Sequence, residues 1–272
     1  MIMLRHVTVS FGTECRVTRS DGLVEAGRFT LIQCLGDDTV LHGYFLRVAG
    51  AMLGAVGDDP AGQDVADAVA NLVELFRAMT QPPAKSVQGL WAELLLVAKA
   101  GDPVRLTGAW HLLPEERFDF GSADQRIEVK STALRSRRHH FGLEQLRPNQ
   151  PADVLVASLY VERAETGASV CELANLVRTR MAAHPDMVLH VDRVIGLTLG
   201  SDWRQGLEDR FDTQLAEKSL AFYRATDIPC IPGPLPPSVS DVRFMADLTD
   251  VPPVSSEWCR AEGGLFRSVL RR

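Results

Sequence analysis

The segment 117–132, RFDFGSADQRIEVKST, constrains this chain more than any other. It carries Asp119 nine residues ahead of Glu128, with Lys130 two residues further on. Arg117–Phe120 and Gln125–Thr132 read as two strands joined through a turn at Gly121–Asp124. Side chains alternate along a strand, so Glu128 and Lys130 share one face and Ile127 and Val129 the other. An even-numbered turn would pair Asp119 with Arg126, making Asp119 and Glu128 diagonal neighbours within reach of one ion. Two carboxylates and an ammonium on one face, backed by aliphatic residues, suit metal-dependent phosphodiester cleavage.

The sequence around the hairpin predicts an α/β order. A helix over 86–100 opens on Ser86 and ends at Gly101, with Glu93 among Gly89, Leu90, Leu96 and Val97. An unpaired carboxylate in such company is costly to bury, so Glu93 either lies on a polar edge or points at Lys130 or a metal. Gly89 is expected to let this helix approach the sheet closely. Phe141–Arg147 reads as a short helix stopped by Pro148. Asp153–Glu162, apolar at its centre, fits a strand covered on both faces. Ser169 and Glu172 form a capping box opening a helix to Met181. Further strands are expected at 193–199, 219–225 and 242–247.

Residues 1–80 read as a β-rich N-terminal region, with strands at 7–11, 14–19, 28–34 and 40–48 and then a helix bearing Val65, Val69, Leu72, Val73, Phe76 and Met79. Gln81–Pro82–Pro83 marks a boundary. The expected division is 1–80 of unassigned role, 81–200 as the core, and 201–272 as its C-terminal extension.

Composition sets limits. At 46% hydrophobic and 24% charged, the 272 residues resemble a globular protein, and no apolar run reaches the roughly 20 residues of a membrane span. The five scattered cysteines, without a CxxC pair, read as reduced thiols of a cytoplasmic protein. The net charge of −6 is awkward for a partner of nucleic acid. Locally the balance reverses: Arg126, Lys130, Arg135, Arg137, Arg138 and Arg147 face only Glu128 and Glu144, with His139 and His140 extending the run. Arg135, Arg137, Arg138, His139 and His140 are therefore the candidate phosphate contacts, joined by Ser131 and Thr132.

A helix with an acid, a strand with Asp, a strand with E-x-K, a helix with Gln145 and a core strand is the order of the PD-(D/E)XK nuclease superfamily. GLWAELLLV at 89–97, Trp110, FDF at 118–120, IEVKST at 127–132, LEQL at 143–146 and SVCELA at 169–174 resemble the bacterial "PD-(D/E)XK motif proteins" of phage-defence gene clusters, over roughly 85–250. Phe118 stands where the motif's Pro would be. The resemblance implies a restriction-endonuclease-like mixed β-sheet flanked by helices, and DNA cleavage with Mg²⁺, for which Mn²⁺ would substitute. It implies Asp119, Glu128 and the Val129 backbone carbonyl as metal ligands, with Glu93 holding a second ion or Lys130. Lys130 would orient the attacking water, and Gln145 would orient the site. DNA and an ATPase or helicase-like defence protein are the implied partners; a homodimer is compatible with it. Two other readings stay open: a non-catalytic binding subunit, and a hydrolase of a small phosphorylated substrate.

Overall fold

The computed structural model describes residues 1–112 and 116–270. Strands β1 (Ile2–Met3), β2 (Val7–Thr18) and β3 (Val24–Cys34) form an antiparallel sheet in the order β1-β2-β3. Helices α1 (Thr39–Val56) and α2 (Gly62–Ala78) follow. The strand expected at 40–48 is thus helical. Asp38 decides this: its carboxylate accepts from the Val40 and Leu41 amides and caps the helix, overriding the β preference of Val40, Tyr44, Phe45 and Val48. By length and apolarity alone α1 could cross a membrane. Here Leu41, Tyr44, Val48 and Met52 are buried, and α1 packs chiefly on α2 and on the helix at 185–199.

The central region runs α3 (Val87–Lys99), α4 (Pro103–Gly108), β4 (Phe120–Ser122), β5 (Gln125–Thr132), β6 (Arg138–Gly142), α5 (Leu143–Leu146), β7 (Asp153–Tyr160), β8 (Arg163–Ser169), α6 (Val170–Arg180) and α7 (Pro185–Leu199). Then come α8 (Trp203–Glu208), β9 (Arg210–Phe211), α9 (Thr213–Ser219), β10 (Ala221–Arg224), β11 (Arg243–Asp247), α10 (Ser256–Glu262) and α11 (Gly264–Ser268). The stretch expected as a strand at 193–199 is the end of α7. Val191, Val194, Ile195 and Leu199 are all buried there, and a helix apolar on most sides loses the 3.6-residue rhythm that would mark it.

The site is built on a mixed sheet ordered β10-β7-β5-β4, in which β5 runs parallel to β7 and antiparallel to β4. Ile127, Leu155, Ala157 and Leu159 join the main apolar core with α3, α6 and α7. That core is contiguous with Val7, Leu41, Leu72 and Phe76 of residues 1–80. Val154 and Val156 enter a smaller cluster with Phe141, Leu146, Tyr223 and Leu248 on the other side. Both faces of β7 are therefore covered, as its apolar run requires.

The break at 81–86 is held against the end of α7. The Ala84 amide donates to the Thr198 carbonyl at 3.0 Å, and the Ser201 amide to the Gln81 carbonyl at 2.7 Å. Gly200 turns there with φ 52°, and a Cβ on it would collide with the backbone of Gln81 and Pro82.

Candidate active site

The hairpin is tighter than its sequence suggests. Only Ala123 and Asp124 form the turn, so Ser122 pairs with Gln125 and Phe120 with Ile127. Continuing that register places Asp119 opposite Glu128 rather than diagonal to it. The segment before Asp119 is fixed from its other side: the His111 amide donates to the Asp119 carbonyl at 2.9 Å, and the Gly121 amide to the Ala109 carbonyl at 2.8 Å.

Asp119 divides its carboxylate between two partners. Its Oδ2 accepts the Val129 amide at 2.8 Å, and its Oδ1 accepts Lys85 Nζ at 2.8 Å. In an extended residue the N–H and C=O emerge at the same strand edge, so the Val129 carbonyl opens beside Asp119.

Glu128 is 5% exposed. Its Oε1 receives Lys130 Nζ at 2.6 Å and Gln145 Nε2 at 2.7 Å, while its Oε2 is buried without a hydrogen-bond partner. Lys130 Nζ also donates to Gln145 Oε1 at 3.1 Å and lies 5.1 Å from the Phe141 ring centre. Gln145 is locked in turn by the Arg117 carbonyl and the Gly142 amide.

Glu93 points inward. It is 4% exposed, accepts the Trp110 indole N–H at 2.7 Å, and lies 3.5 Å from Lys85 Nζ. Its helix starts where Ser86 Oγ accepts the Gly89 amide. Gly89 serves that cap and not a close approach to the sheet: the nearest atom to a Cβ there would be Ser86 Oγ.

Five of the expected residues, Glu93, Asp119, Glu128, Lys130 and Gln145, are thus linked through shared contacts. Two participants escaped the sequence reading. Trp110 was legible in principle, because a buried indole N–H needs an acceptor. Lys85 gave no signal beyond preceding the cap of the helix that carries Glu93.

The candidate phosphate contacts divide. Arg137 donates to the Ser158 carbonyl and hydroxyl and to the Ser219 carbonyl, packed on Tyr160 and Tyr223. His139 is 4% exposed with Nε2 2.8 Å from Ser158 Oγ, and burial, then Lys130 and Arg137, hold its pKa near 4. Both side chains are spent on Ser158, the β7 residue that pairs with Lys130, so neither is free for a phosphate, which departs from the expectation for them. Alternation along β6 leaves Arg138 and His140 exposed. Arg135, also at the surface, pairs with Glu162 at 2.8 Å. Ser131 Oγ accepts Gln88 Nε2, and Thr132 Oγ1 accepts the Leu134 amide.

Three carboxylates share this space with two ammonium groups. Burial, then repulsion from Asp119, raises the pKa of both Glu93 and Glu128. Burial alone would lower that of Lys85, but the attraction of Asp119 and Glu93 outweighs it and the net shift is upward. Among the described residues no three His, Cys, Asp or Glu side chains are grouped to hold an ion alone. A hard cation such as Mg²⁺ does not need three, because it keeps several waters. Asp119 Oδ1, the orphaned Glu128 Oε2 and the Val129 carbonyl are all oxygens, and a divalent cation would relieve the repulsion that raises the pKa of Glu93 and Glu128.

No curated protein and no solved structure matches the chain. A family model described as "Putative PD-(D/E)XK family member, (DUF4420)" matches residues 15–249, spanning the hairpin, α3, the Gln145 turn and the whole mixed sheet. The chain belongs to this PD-(D/E)XK family, with the nuclease-like fold it denotes.

Proposed function

We propose that the chain is a divalent-metal-dependent endonuclease that hydrolyses phosphodiester bonds of DNA in cytoplasmic anti-phage defence. The observation that carries the reading is the buried, unpartnered Glu128 Oε2 beside Asp119 and Lys130. PD-(D/E)XK nucleases generally use divalent metals, and Asp119, Glu128 and the Val129 carbonyl would hold Mg²⁺ or Mn²⁺ here. When bound, the ion supplies Lewis-acid polarisation of the phosphate and a lowered pKa for an attacking water.

This chain's own residues do the positioning. Gln145 pins Lys130 and Glu128 together, so the ammonium is pre-aimed and needs little reorganisation to orient a water or neutralise a phosphate oxygen. Trp110 fixes Glu93, and Glu93 with Asp119 fixes Lys85. Arg138 and His140 on the exposed side of β6 remain available to a nucleic-acid backbone, and Arg135 would join them by leaving Glu162. An ATPase or helicase-like partner belongs to this reading, and a homodimer is compatible with it.

One observation favours a second reading. The Lys85–Asp119 ion pair partly satisfies the acid that a metal needs, as expected of a non-catalytic binding subunit. Plasmid cleavage in Mg²⁺ or Mn²⁺ decides. The expected result is nicking by the wild type and loss of about 10²–10⁴-fold in rate for Asp119→Ala and Lys130→Ala. Equal cleavage by all three would overturn the proposed site, and none by the wild type would favour the binding subunit.

A further inference from the structure

Lys85 is the least expected member of the centre. Its ammonium lies 2.8 Å from Asp119 Oδ1 and 3.5 Å from Glu93 Oε1, so it sits between two acids where a cation is electrostatically favoured. Asp119 Oδ1 is the oxygen left for a metal once Oδ2 is committed to the Val129 amide. Lysine and metal therefore compete for one atom.

The backbone and side chain of this segment differ in freedom. The Ala84 amide is bonded to the Thr198 carbonyl, and Ser86 caps α3, so the main chain on either side of Lys85 is anchored. The side chain is 30% exposed and unbranched, and its ammonium can leave the acids without the backbone moving. Lys130 lacks that latitude, being held by Glu128 and Gln145 under Phe141.

We propose that Lys85 is a tethered counter-cation of the metal centre. It balances Asp119 and Glu93 in the metal-free protein and gives up Asp119 when a divalent ion binds. Metal uptake is then an exchange, and the released ammonium turns to the solvent side, where a phosphate would meet it. This rests on the metal-dependent reading above and adds a residue to it.

The test is calorimetric titration of Mn²⁺ into wild type, Lys85→Gln and Lys85→Arg, without nucleic acid, alongside thermal melts with and without the ion. A single neighbouring charge shifts an equilibrium at a carboxylate by about one to three decades. Lys85→Gln should therefore bind Mn²⁺ about tenfold or more tightly, and Lys85→Arg close to wild type. The melting point of Lys85→Gln should fall below wild type without metal, and the gap should close with Mn²⁺. A purely structural lysine would lower both melting points without tightening the metal. Wild-type binding with no gain in Lys85→Gln, or an equal gain in Lys85→Arg, overturns the exchange and leaves the cleavage reading standing. No Mn²⁺ binding by any of the three overturns both.

Discussion

Two clusters of buried charge lie among the described residues, and they are balanced in opposite ways. At the hairpin, Glu93, Asp119 and Glu128 outnumber Lys85 and Lys130, and burial with mutual repulsion raises the pKa of two of the acids. At the junction of α1, α6 and α7, a single acid, Asp192, is fully buried against Arg178 and Arg47. Its neighbour Tyr44 donates to the Asp192 carbonyl and stands under the Arg47 guanidinium. A cluster whose buried acids repel one another would gain from a cation brought from outside. A cluster with one acid between two arginines has positive charge to spare, although Asp192 Oδ2, Arg47 Nε and Arg178 Nε have no hydrogen-bond partner there. On the proposed reading the first binds a cation, whereas the second joins residues 1–80 to the core.

The comparison breaks most readily at Asp192. Removing it strands the buried Arg178 and leaves the part-exposed Arg47 beside it, so Asp192→Ala should cost about 3–5 kcal/mol in a denaturant melt, with no change in the cost when Mn²⁺ is added. A metal-dependent loss would erase the distinction between the clusters.

The hairpin cluster should respond with the opposite sign when one of its acids is neutralised. Trp110→Phe removes the donor that stabilises the Glu93 carboxylate, and should destabilise the fold by about 1–2 kcal/mol. Glu93→Gln keeps an acceptor for Trp110 while deleting the strained charge, and should raise the metal-free melting temperature by roughly 2–4 °C. The sign follows from linkage. A carboxyl whose folded pKa lies above its unfolded value contributes its full stability at pH below the unfolded value, and loses it as pH rises through the folded one. For Glu93 that folded value is about 8, so the advantage of the glutamine should be absent below the ordinary carboxylate range, grow through mild acid and neutral pH, and level off above about 8. A variant less stable than wild type at alkaline pH would show that Glu93 is a structural acid balanced by its cation, like Asp192.

The two clusters also differ in how far they could be read from the sequence. Asp119, Glu128 and Lys130 lie within one hairpin, where strand alternation fixes who shares a face. Glu93 and Gln145 could be added because each sits in a locally marked helix, one opened by Ser86 and one preceding Pro148. Lys85 meets Asp119 across a gap of 34 residues, a contact created by the packing of α3 on β5 and invisible to local pattern. The basic run at 135–140 was legible as charge but not as direction. Burial of alternate residues along β6 turned His139 inward, while Arg137 just before the strand was spent on carbonyls of β7 and α9. The elements followed the same rule. The capping box at Ser169 and the apolar run at 153–160 declared themselves, whereas α1 and the end of α7, rich in Val, Ile and Leu, needed their caps and their burial to be recognised as helices.

The clasp between residues 81–86 and the end of α7 has a consequence for inheritance of function. Lys85 has no local element of its own; its place is dictated by a turn more than a hundred residues downstream, at Gly200. A side chain at Gly200 would push on Gln81 and Pro82, and through them on the residue that sets the charge of the centre. If Lys85 exchanges with a metal as proposed, drift at a position far from the acids would retune that exchange while every acid stayed in place.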